Sequence, residues 1–227
     1  MWAIIKKEVK SYFLSPIGYI FVGLFLAVYS IFFYLDVYYY GSTNFGNMFY
    51  SLTTIVTFLI PVLTMRLFAE EKKTGTEQLL LTSPRSVTAI TLGKFFAALI
   101  VVLISEVLTF IYYGILMYFG DPNLVTALVT LFGFTLLASA YIAFGMFASS
   151  LTENQIIAEI LTTVVLLALW FLPNFIPTMQ TFSLVNAFTS SFPAGTISLA
   201  AIVLLGSFTI LFILLTMMVL QRKKSVK

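Results

Sequence analysis

Six apolar stretches leave this chain of 227 residues few folds to choose from. They run Ile17–Leu35, Met48–Met65, Ala89–Phe119, Leu124–Phe147, Ile156–Leu172 and Ile197–Leu220. Each is close to, or longer than, the roughly 20 residues that cross a hydrocarbon core as a helix. Lipid offers no water to satisfy backbone N–H and C=O groups, so such stretches resolve into helices. Charged residues make up 9% of the chain, against about 25% in soluble domains. The expected fold is an all-α polytopic membrane protein of one domain, residues 1–227. The third stretch is long enough to begin as a helix outside the lipid and to enter it at about Lys94.

The basic residues orient the chain. All 12 Lys and Arg fall in three regions: Lys6, Lys7 and Lys10; Arg66 to Lys94; and Arg222 to the end. With six crossings these regions share one side, which the positive-inside bias makes cytoplasmic, with both termini. The outer connections carry Asp36 and Asp121 and no basic residue. With neither Cys nor His, thiol catalysis, disulfides, histidine acid–base chemistry and the usual zinc ligand sets are excluded. The start lacks the charge, apolar core and cleavage-site order of a signal peptide, so the first span is expected to be retained.

Between the spans, residues 2–13 have helical periodicity, with Trp2, Ile5, Val9, Tyr12 and Phe13 on one face and Lys7, Lys10 and Ser11 opposite. This suits a helix over residues 1–14 lying in the membrane interface, lysines towards anionic headgroups. A basic flank that merely orients the first span is the plainer alternative. Ser15-Pro16 then breaks the helix. Residues 173–196 are too apolar for a free loop and too rich in Pro and Gly for a seventh span. They read as short helices re-entering the outer leaflet, or as a surface cap.

Arg66 to Arg85 holds seven of the 21 charged residues. Thr74-Gly-Thr-Glu77 fits a capping box opening a helix that carries Leu79, Leu80 and Leu81 and stops before Pro84. Three consecutive leucines cannot all face the membrane side. Some of this surface is expected to dock on a partner, flanked by Glu70, Glu71, Lys72 and Lys73; a solvated loop that only fixes topology is the alternative. A second connection on the same side includes Ser150, Thr152, Glu153, Asn154 and Gln155 and has no basic residue, which favours a contact role. Ser149 or Ser150 with Glu153 also fits a capping box for the fifth span. Glu106 and Glu159 lie within spans, where an acid costs about 2.5–3.5 kcal/mol on insertion scales. Both are candidates for a substrate path, with Thr57, although Thr57 and its neighbours better suit helix packing. Pro61 is expected to kink the second span.

Met65-Arg-Leu-Phe-Ala-Glu-Glu-Lys-Lys-Thr-Gly-Thr-Glu-Gln-Leu-Leu-Leu-Thr-Ser-Pro84 resembles the signature after the second span of ABC-2-type permeases, closest to the gliding-motility-type subfamily. Ser11-Tyr-Phe-Leu-Ser-Pro-Ile-Gly-Tyr19, Leu92-Gly-Lys-Phe95 and Phe147-Ala-Ser-Ser-Leu-Thr-Glu-Asn-Gln-Ile156 agree with it, so the likeness covers residues 1 to about 172. The resemblance implies an elbow helix, six spans, a coupling helix near Thr74–Thr82 within a cytoplasmic loop 66–88, and a re-entrant outer segment. It implies a permease that exports its substrate across a prokaryotic cell membrane. Its partners would be a cytoplasmic ABC ATPase subunit that supplies ATP and Mg, a second permease half and in some cases a further membrane subunit. Membrane lipids surround it and no nucleic acid is involved. Gly93-Lys94 is followed by Phe95, so this chain forms no P-loop and is not expected to be an enzyme. A passive channel or scaffold subunit is the competing function.

Overall fold

A computed structural model describes residues 1–78 and 86–225, and the side chains among them except those of 177–179 and 223–225. The described residues are helical, with no strand among them. Helix α1 (Trp2–Leu14) ends at Ser15, and Pro16 opens α2 (Pro16–Tyr34), which continues through a π-helical turn, Leu35–Tyr39. Then come α3 (Phe45–Thr64), α4 (Arg66–Lys73), α5 (Val87–Leu108), α6 (Phe110–Phe119), α7 (Leu124–Leu151) and α8 (Gln155–Phe175). Two 3-10 turns, Pro177–Phe182 and Phe192–Ala194, bracket α9 (Leu184–Thr189), and α10 (Leu199–Ser225) closes the chain.

Six helical stretches are long and apolar enough to cross a membrane: Pro16–Tyr39, Phe45–Lys73, Val87–Phe119, Leu124–Leu151, Gln155–Phe175 and Leu199–Arg222. They coincide with the six apolar stretches of the sequence, with shifted ends. The second runs eight residues further than expected: only Met65 interrupts it, four residues beyond Pro61, so the first part of the polar stretch is helix and not loop. The third is broken at Thr109, whose hydroxyl donates to the Glu106 carbonyl at 2.6 Å.

Short polar side chains set at least half of the ten described α-helix starts. Asn44, Ser86, Asn123, Asn154 and Ser183 each accept a hydrogen bond from a backbone N–H in the first turn that follows, a donor with no partner inside its own helix. Asn154, rather than a Ser149 or Ser150 capping box, therefore starts α8. Both serines lie in the last turn of α7.

Helix α7 is the centre of the bundle, packing on α3, α5, α8 and α10. Its small residues make this possible. A Cβ on Gly145 would sit 2.1 Å from Thr64 Oγ1, and one on Gly133 would sit 2.2 Å from the Phe192 ring. Close backbone approach is how helices associate where burial of apolar surface gives little net drive. Helices α3 and α7 are the most enclosed spans, while α2, α8 and α10 turn most of their surface outward. The segment from Leu184 to Ala194 is built into the bundle: Leu184, Val185, Phe188 and Phe192 are buried.

Candidate functional site

The most polar constellation gathers around α4. Leu67, Phe68 and Ala69 are buried, which pins this charged helix to the bundle along one side. Its N-terminus has no cap of its own. Ser149 of α7 fills that place: its Oγ accepts from Phe68 N and Ala69 N, both at 3.0 Å, and donates to Met65 O at 2.8 Å. Lys72 Nζ donates to the Ser150 carbonyl. The two connections on the basic side are thus one unit. Ser149→Ala leaves two buried donors without their acceptor and is expected to cost about 1–3 kcal/mol. Thermal unfolding checks this, together with faster amide exchange at Phe68 and Ala69; unchanged exchange would remove Ser149 from this role.

On its other side α4 meets α1 and α5 through Lys94. This side chain is almost fully enclosed, with Nζ 2.9 Å from Glu71 Oε1, 3.3 Å from Glu8 Oε1 and 5.2 Å from the centre of the Phe68 ring. Gly93 beside it lets α1 approach, since a Cβ there would meet Ile4 at 2.7 Å. Lys94, the expected point of entry into lipid, joins three helices. Arg66 forms a second tie, donating to Ser15 Oγ at 2.8 Å and Ser11 Oγ at 2.7 Å, with Glu70 3.6 Å away and the Tyr12 ring beneath it at 4.9 Å. Tyr12 in turn donates to Leu63 O at 2.9 Å. Burial holds its phenol well above the ordinary range, so it remains a donor. Ser11, placed by periodicity on the face opposite the apolar one, points into the protein, while Trp2 is 74% exposed.

A cleft of about 470 Å³ opens between α1, α4 and α5. Lys7, Arg66 and Lys94 line it together with Glu8, Glu70 and Glu71. Three cations against three carboxylates give no net field to collect an anion.

Further along, Thr74 ends α4 and does not open the next helix. Its hydroxyl turns back to the Glu70 carbonyl at 2.9 Å, and Gly75 takes the left-handed conformation (φ 73°) that stops a helix. Glu77 and Gln78 are helical, and Thr76 is exposed. Leu79 and Leu80 lie outside the described residues. In the second connection, Thr152 Oγ1 accepts from Asn154 N at 3.1 Å, Glu153 and Asn154 are exposed, and Gln155 begins α8.

The candidate path residues do not converge. Glu106 is 3% exposed; Thr135 Oγ1 of α7 donates to its Oε2 at 2.7 Å, and Oε1 has no partner. Thr57 is fully buried, donates to Thr53 O at 2.9 Å and stands 3.5 Å from the Tyr141 hydroxyl. Glu159 is half-buried on α8, in a separate groove against α3.

Residues 2–225 match the family described as ABC-2 family transporter protein. The chain belongs to the ABC-2 transporter family. No curated protein matches it. Membership and the six apolar helices together make it a multi-pass membrane protein, the permease subunit of an ABC transporter, and imply an ABC ATPase subunit as its partner. In this ABC-2 permease the α4 constellation ties the second, third and fourth spans to α1. From the sequence, Lys94 and Ser149 have other roles, a lipid-entry point and a cap for the fifth span, and no part in holding α4. A lone Lys in an apolar helix and a lone Glu beside the apolar face of α1 were the signal for the first; Ser149 left none, because only the fold brings it to α4.

Proposed function

We propose that this chain is the membrane half of an exporter driven by ATP hydrolysis in a separate cytoplasmic subunit, which binds ATP and Mg. The basic end of the bundle, with both termini, faces the cytoplasm of a prokaryotic cell. A coupling helix over about Thr74–Thr82, carrying Glu77, Leu79 and Leu80, receives the ATPase, and Thr152 to Gln155 form a lesser contact. A second permease half completes the conduit, a further membrane subunit of the gliding-motility type joins it, α1 lies in the interface as an elbow, and residues 173–196 re-enter the outer leaflet.

One observation carries this reading: α4 is bolted to α7 through Ser149 and to α1 and α5 through Lys94. A push on Thr74–Gln78 therefore reaches the second span along the chain, the third through an ion pair and the fourth through hydrogen bonds. A solvated loop that only fixed topology would have no need of such ties.

Co-expression with the neighbouring genes is expected to yield a complex containing an ATPase, and Leu80→Asp is expected to lower transport per ATP about tenfold with membrane insertion unchanged. Absence of any ATPase from the purified complex, or undiminished transport by Leu80→Asp, overturns the reading. Glu71→Ala is a poorer test, because it also removes a carboxylate from Lys94.

A further inference from the structure

We propose that the groove between α3 and α8 binds a compact amphiphilic cation, with Glu159 as its counter-ion; this rests on the transport reading above and names the substrate class. Phe58 and Val62 of α3 face Glu159, Ile160, Thr163 and Val164 of α8 across about 290 Å³. Positions 159, 160, 163 and 164 form one helical face, and 58 and 62 lie one turn apart, so two helices present matched walls. The walls are apolar except for the Thr163 hydroxyl and one carboxylate at the end nearer the start of α8.

That carboxylate has no hydrogen bond or ion pair among the described residues. Three basic side chains at this end of the bundle are engaged elsewhere: Arg66 with Ser11 and Ser15, Lys94 with Glu8 and Glu71, Lys72 with the Ser150 carbonyl. An unpaired acid one turn into an apolar helix is costly, and a cation arriving with its own hydrocarbon surface offsets that cost while covering the groove. An anion is repelled, and a small hydrated cation cannot cover the apolar walls. The stretch from 159 to 164 rises about 7.5 Å along α8, half the reach of an acyl chain in one leaflet of a core roughly 30 Å thick. A compact body fits it better than a lipid.

The test uses the full chain in nanodiscs of zwitterionic lipid, with tetraphenylphosphonium as the probe and empty nanodiscs as the background. Saturable binding is expected, weakened about tenfold by Glu159→Gln and less than about threefold by Glu159→Asp. Ile160→Trp, which fills the groove and leaves the charge, is also expected to abolish it. Tetraphenylborate, the same shape with opposite charge, and tetramethylammonium, the same charge without the apolar body, are expected not to bind saturably. No saturable binding to the wild-type chain, Glu159→Gln binding within twofold of wild type, or equal binding of tetraphenylborate overturns the proposal. None of these measurements needs the ATPase. Loss of probe binding with an intact ATPase complex removes only the substrate class, and the reverse result removes only the coupling.

Discussion

Lys94→Met is expected to lower the unfolding temperature of the detergent-purified chain by on the order of 10 °C. Among the described residues, the ammonium it removes is the only partner holding Glu71 Oε1 and the closest one to Glu8 Oε1, and both carboxylates are largely enclosed, with side-chain exposures of 15% and 12%. Taking one member out of a buried ion cluster leaves its counter-charges desolvated, at a cost of about 3–5 kcal/mol. Glu71 Oε2 is already buried without a partner, so no spare donor stands ready. The triple variant Glu8→Gln, Glu71→Gln, Lys94→Met is expected to recover most of the loss, because replacing a whole buried cluster by neutral groups is often close to neutral. A single Lys94→Met variant unfolding within about 2 °C of the wild type, on the scale where one kcal/mol moves a chain of this size by about 2–4 °C, would show that the cluster is solvated and not structural.

The second large effect is expected at Gly46, in the first turn of α3. A Cβ there would lie 2.0 Å from the Pro193 carbonyl oxygen and 2.7 Å from its carbon, and backbone cannot swing aside as a side chain can. Gly46→Ala must therefore lift the Phe192–Ala194 turn. That turn is seated by Thr130 Oγ1 donating to Phe192 O at 3.1 Å and by the fully buried Phe192 ring against Gly133 and Phe188. Losing part of this burial together with the strain of overpacking is expected to cost on the order of 3 kcal/mol. The chain has no Cys, so a single Ser191→Cys reporter gives a clean signal: maleimide labelling should accelerate in the Gly46→Ala background. Gly114→Ala, where the added Cβ meets nothing within 4 Å, serves as the comparison and should leave labelling unchanged. Equal labelling in both backgrounds would mean that the turn is not held by α3.

Six crossings and their shared basic end were legible in the chain alone, because they depend on local properties: apolar length and the clustering of Lys and Arg. The side chains that cap the helices were not. Local reasoning failed where two local signals competed. Thr74 and Glu77 have capping-box spacing, yet Gly75 between them reaches the left-handed region and ends α4, so Thr74 serves the helix before it. Ser150 and Glu153 also have that spacing, yet Asn154 is the cap, and Ser150 stays in the last turn of α7 beside Ser149, which is turned to α4. Which charges meet depends on how the helices pack. Glu8, Glu71 and Lys94 lie on three helices far apart in sequence, and no periodicity relates them. They are brought together because Gly93 admits α1 against α5, and because desolvating a lone Lys or Glu is too costly for either to be enclosed without the other.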